Sequence, residues 1–163
     1  MATIDYTEWS KHFLGQLRDA HLEDGSAVQG CSAREIASVT AQCGNALPES
    51  YRAFLAVMGK CAGHFMRGTT AFFPSILALR KEAIALLSDT AGAPTLAANA
   101  FVFAMHEGYH FWWFAAEAES SDPVVFHYME GDLHFSSEQM KFTEFLVHRM
   151  KQDVDALKRA KLI

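Results

Sequence analysis

Cysteine is scarce and odd in number: the 163-residue chain has three, Cys31, Cys43 and Cys61, with no paired spacing. That excludes a closed disulfide set and a stapled secreted scaffold, so the expected compartment is a reducing cytosol. Proline and glycine are few, four and ten, and neither a collagenous chain nor a Pro/Gly-rich disordered linker fits. Long apolar runs are missing too. The longest charge-free stretch, roughly residues 90–106, is broken by Gly92, Pro94 and Asn99 and makes a poor bilayer span. The start MATIDYTEW is acidic and polar, so no signal peptide is read there. No Gly-rich phosphate loop or nucleophile elbow is present, and no cofactor is expected.

Positive charge is absent from one long segment. Between Glu82 and Glu138 there are nine carboxylates (Glu82, Asp89, Glu107, Glu117, Glu119, Asp122, Glu130, Asp132, Glu138) and no lysine or arginine. The remainder carries ten carboxylates and fourteen cations, and the whole has a net charge of −5. Nucleic acid is a poor partner for such a segment, because binding phosphates needs a basic footprint. A basic protein partner fits better, and four histidines in the window would blunt its charge on acidification. The plainer alternative is that these carboxylates only keep a domain soluble.

What is present is core material. Half the residues are hydrophobic and a fifth are charged, which at this length indicates one domain with a real core. Trp9, Phe13, Leu17 and Ala20 recur at helical steps over residues 4–22, with Asp24-Gly25-Ser26 as the stop. Ser32 and Glu35 have capping-box spacing, and Ile36, Val39 and Cys43 form the stripe of a second helix ending at Gly44. Pro48 opens a third, burying Tyr51, Phe54, Leu55 and Met58 and ending at Gly59. Residues 60–73 read as a loop with one or two short extended pieces. Pro74 opens a fourth helix, with Leu77, Ile84 and Leu87 spaced for burial and Gly92-Ala93-Pro94 as its end.

After Pro94 the texture changes to strands. Phe101–Met105 and Phe111–Phe114 flank a turn at Glu107-Gly108, the pattern of a β-hairpin. Val124–Met129 reads as a third strand and Leu133–Phe135 as a short fourth. A capping box at Ser136 and Gln139 is expected to start the last helix, with Met140, Phe142, Phe145, Leu146, Met150, Val154 and Leu157 inward. The order predicts an α+β plan, an antiparallel sheet of four to six strands with helices packed on it. Alternation puts Val102, Ala104, Phe111 and Trp113 on one face of the hairpin and Phe101, Phe103, Met105, Trp112 and Phe114 on the other. Both faces are apolar, so either the terminal helices cover both or a partner meets one.

His106-Glu107-Gly108-Tyr109-His110 matches H-E-x-x-H letter for letter. That chemistry needs a helix, where i and i+4 bring both imidazoles to one zinc. The flanks are aromatic and β-branched, and Gly108 mid-helix would cost roughly 1 kcal/mol relative to Ala. In a two-residue hairpin His106 opposes Tyr109 while Met105 and His110 fall on the other face, so the imidazoles are expected to point apart. No metal site is expected. His64 near Cys61 falls short of the four ligands of a structural zinc, and the three cysteines read as structural rather than nucleophilic.

Leu47-Pro48-Glu49-Ser50-Tyr51-Arg52-Ala53-Phe54-Leu55, Phe101-Val102-Phe103, His106 through Phe114, Asp122-Pro123-Val124-Val125 and Phe142-Thr143-Glu144-Phe145-Leu146 occur in an order and spacing that resemble the SUKH superfamily. That superfamily includes fungal cell-wall assembly regulators and many bacterial immunity proteins. The resemblance covers about residues 30–148. It implies an α+β domain without catalytic residues, in many bacterial members one that neutralises a toxin, often a nuclease or deaminase. Family members differ in which surface meets the toxin, so no binding residue transfers. Residues 1–29 are expected to form an N-terminal helical extension, and 149–163 to continue the last helix. The resulting expectation is a cytoplasmic, non-catalytic immunity protein whose acidic loops, Glu117, Glu119, Asp122, Glu130 and Asp132, contact basic groups of a cognate toxin. A zinc hydrolase built on His106, Glu107 and His110, and a regulatory scaffold with another partner, are the alternatives.

Overall fold

Side-chain caps set the helix starts. In the computed structural model, which describes residues 3–23, 27–44, 47–117 and 119–163, Asp5 accepts from the amides of Thr7 and Glu8 at 3.0 and 3.1 Å to begin α1 (Tyr6–Asp19). These are amides that the first turn leaves without intrahelical acceptors. The expected stop at Asp24-Gly25-Ser26 lies outside the described residues; the helix itself ends at Asp19. The Ser32–Glu35 box closes as read: Ser32 Oγ accepts from Glu35 N at 3.2 Å and Glu35 Oε2 from Ser32 N at 2.8 Å. It begins α2 (Ala33–Cys43), which ends on a left-handed Gly44. α3 (Glu49–Met58) follows Pro48 and buries Tyr51, Phe54, Leu55 and Met58.

Two short extended pieces do lie in residues 60–73. β2 (Cys61–Ala62) pairs with β1 (Val28–Gln29) in a small antiparallel sheet, and β3 (Thr69–Thr70) forms an edge of the main one. A 3-10 turn, Ser75–Ala78, then precedes α4 (Leu79–Ser88). That turn corrects the expected buried face. Three residues per turn shift the helical phase, so Leu79, Ala83, Leu86 and Leu87 are buried while Ile84 is 46% exposed.

The main sheet has strand order β3-β4-β5-β6-β7, all antiparallel, with β4 Ala100–His106, β5 His110–Ala115, β6 Val124–Met129 and β7 Ser136–Lys141. The chain is a single α+β domain. Residues 136–141 are a strand, not the start of the last helix, and Leu133–Phe135 belong to the β6–β7 connection. Ser137 Oγ accepts from Gln139 N at 3.0 Å, and Gln139 takes a φ of 55°, incompatible with a helical turn. Pairing with β6 outweighs the local capping signal, as tertiary context often does. α5 (Phe142–Arg159) begins six residues after Ser136 under different caps: Glu144 Oε2 accepts from Lys141 N at 2.8 Å, and Asp122 accepts from Thr143 N and Oγ1 at 3.1 and 2.7 Å.

Tyr51 sits at the centre of the core on one sheet face. Its ring centroid lies 5.3 Å from each of Phe101, Phe114 and Phe142, and Phe103 is within 6.3 Å. α3 and α5 therefore supply that layer. Over the other face, Phe135 meets Phe111, Trp113 and Tyr128, and α4 runs along β4. α1 packs chiefly on α3, with Phe13 edge-on to Phe65. The second apolar face is thus covered from within the chain, by α4 and the 133–135 segment rather than by α1.

Candidate partner-binding surface

The hairpin at Gly108 departs from its expected register. Glu107 and Gly108 both have positive φ, 47° and 79°, and Tyr109 N donates to His106 O at 3.2 Å, so the turn is the tight two-residue kind whose twist suits a hairpin. The ladder nevertheless pairs His106 with His110 and Met105 with Phe111. Tyr109 is left as an extra residue outside the ladder. A second irregularity, between Val102 and Ala104, inserts Phe103 on the opposite strand and restores the expected pairing from Val102↔Trp113 to Ala100↔Ala115. Ala104 and Met105 therefore exchange faces relative to simple alternation. His106 and His110, expected to point apart, stand opposite each other and on the same face.

Both imidazoles line a cavity of about 190 Å³ between the sheet and α5, with Trp112, His127, Glu138, Phe145, His148, Arg149 and Gln152. Each imidazole is held by a protein group. His106 Nδ1 is 2.9 Å from Thr69 Oγ1, and His110 Nε2 is 2.9 Å from His127 Nδ1. Glu138 accepts from Trp112 Nε1 at 2.9 Å, and its Oε1 lies 3.8 Å from His127 Nδ1. The Arg149 guanidinium stacks over Trp112, donates to Thr69 Oγ1 and pairs with Asp153. Burial, then the neighbouring His127, pushes His110 down to about 4, so it is neutral at pH 7. Burial raises Asp153, opposed by Met66 N and Arg149. The H-E-x-x-H residues lie on strands and a turn rather than a helix, and Glu107 is exposed at the turn. Among the described residues no three His, Cys, Asp or Glu side chains are grouped to hold a metal ion. Cys31 is buried, and burial pushes its thiol up to about 11, consistent with a structural role.

The five carboxylates expected at the partner surface fall into two groups. In an antiparallel meander consecutive connections lie at opposite sheet ends and every second one shares an end. Glu117, Glu119 and Asp122 occupy the β5–β6 connection at one end. Glu130 and Asp132 occupy the β6–β7 connection at the other, beside the β4–β5 turn, where Glu130 N donates to Tyr109 O at 2.8 Å. Glu117, Glu119, Glu130 and Asp132 are exposed. Asp122 is half-buried and engaged by Thr143. The turn end also carries Glu107 and three exposed large apolar side chains, Tyr109, Met129 and Leu133, which sequence reasoning did not assign there. Glu107 was legible as a turn residue; Tyr109 was expected in the ladder opposite His106, and the exposure of Met129 and Leu133 depends on where strand β6 ends.

The SUKH family model described as SMI1-KNR4 cell-wall matches residues 33–146, and the chain belongs to that family. The match runs from α2 into α5 and includes the whole main sheet. Its members are generally non-catalytic binding domains, a membership consistent with toxin immunity or cell-wall regulation. No curated protein matches the chain. Among the described residues no helix is long and apolar enough to cross a membrane.

Proposed function

We propose that this chain is a bacterial immunity protein that acts in the cytoplasm by binding a cognate protein toxin and covering its basic active site or substrate groove. No catalytic step, cofactor or metal of its own is involved. The observation that carries the reading is the uninterrupted acidic run from Glu82 to Glu138 on a SUKH domain. Its exposed carboxylates complement the positive potential that an enzyme acting on nucleic acid must present. Complementary charge speeds encounter and selects the partner, while apolar anchors supply most of the affinity.

The test is co-expression with the product of the adjacent gene. The expected result is growth arrest by that product alone, relief when this chain is present, and a co-purifying complex whose association slows as salt is raised. Arrest without relief, or no complex between the purified proteins, overturns the reading. A complex without any arrest favours the regulatory-scaffold alternative. Charge reversal of Glu117, Glu119, Glu130 and Asp132 should slow association. Asp122 is left out because reversing it would also disturb α5.

A further inference from the structure

Resting on the partner-binding reading above, we infer that the contact is centred on the turn end of the main sheet, with Tyr109, Met129 and Leu133 as anchors for a basic protein surface. The β5–β6 loop lies at its margin or beyond. Tyr109, Met129 and Leu133 are 38, 42 and 55% exposed; among the strands and connections at the opposite end of the sheet only Val124, of the described residues, is a comparably exposed large apolar side chain, with Ile4 to its side near the Tyr6–Ser121 contact. A tyrosine presented this way supplies apolar area with little rotamer entropy to lose, which is why tyrosine dominates binding energy at many interfaces.

Backbone hydrogen bonds tie together the two connections under these side chains. Tyr109 is the extra residue of the hairpin, its carbonyl bonded to Glu130 N, and Glu107, Gly108 and Gly131 all hold positive φ. A preformed surface loses less entropy on binding.

Charge selects the occupant. Glu107, Glu130 and Asp132 lie on the same two connections as the anchors, all exposed and none in a hydrogen bond or ion pair through its carboxylate among the described residues. No lysine or arginine occurs in the same stretch of chain. Cationic side chains on a partner are the complement.

Size decides between the two ends. An interface of about 800 Å² per partner has a radius of roughly 16 Å. The six residues of β6 separate the two connections by about 20 Å at 3.3 Å per residue, so a contact centred on Tyr109 fades before Glu117 and Glu119.

The experiment uses the purified product of the adjacent gene as probe and reads association and dissociation rates by biolayer interferometry. Tyr109→Ala is expected to weaken binding at least about tenfold through faster dissociation. The double change Glu130→Lys with Asp132→Lys is expected to slow association about fivefold or more and flatten its salt dependence. Glu117→Lys with Glu119→Lys should leave the dissociation rate within about twofold. Circular dichroism checks that each variant is folded; all five positions are exposed. If the wild type binds and the turn-end variants bind equally well, the surface is wrong and the partner-binding reading stands. If the wild type does not bind, that reading fails and this inference with it.

Discussion

Burial acts on the hydroxyl of Tyr51 in the core and on the half-buried imidazole of His110, each with a measurable consequence. Tyr51 is fully buried among five aromatic rings, and its hydroxyl has no hydrogen-bond partner among the described residues. An unsatisfied buried hydroxyl costs about 1–3 kcal/mol. Tyr51→Phe should therefore leave stability unchanged or raise it by about 1 kcal/mol in chemical denaturation; a comparable loss would mean that the hydroxyl is paired. His110 is neutral in the fold because burial and His127 hold it near 4, while the unfolded chain titrates near its ordinary 6.5. Between those values the unfolded state binds the extra proton, so stability falls as pH drops from about 6.5 toward 4 and levels off below. His106, His127, His148, Glu138 and Arg149 face the same cavity. His110→Gln should flatten the melting-temperature profile across that window, and an unchanged slope would assign the acid sensitivity elsewhere.

At the scale of elements, helix capping and the hairpin turn decide what forms where. Glu107 holds a left-handed φ without being glycine or asparagine, a conformation that costs a bulky residue about 1 kcal/mol. Glu107→Asn should raise the unfolding midpoint, since asparagine-glycine is the preferred pair for this turn. Asp122 anchors α5 from a distant loop, and Asp122→Ala should remove about 1 kcal/mol, the usual worth of a cap. The hairpin and its turn were legible because aromatic runs flanking a Gly-containing pair leave few other solutions. Its two extra residues, Tyr109 and Phe103, were not, because a period of two carries no mark where a residue is inserted and the two insertions cancel at the far end. The Ser136–Gln139 signal misled for a related reason: a capping box is local, and the edge that β6 offers is not. The caps that start α5, from Glu144 and Asp122, include one 21 residues away in sequence.

For the whole molecule, the acidic segment folds into most of α4, the strands β4 to β7 and the loops between them, while eleven of the fourteen cations lie in other elements and loops, the exceptions being Arg80 and Lys81 in the first turn of α4 and Lys141 at the end of β7. That separation was plain from the sequence. Its division between two sheet ends was available too, since a meander fixes which connections are neighbours, but only once the strand count was known. The shared face of His106 and His110 was hidden by the register shift. The most direct measurement is hydrogen exchange of the chain alone and saturated with the purified product of the adjacent gene. The account expects slowed exchange in peptides spanning 105–112 and 128–134, with 116–122 little changed. Protection confined to 116–122, or to the helical side of the molecule, would contradict it.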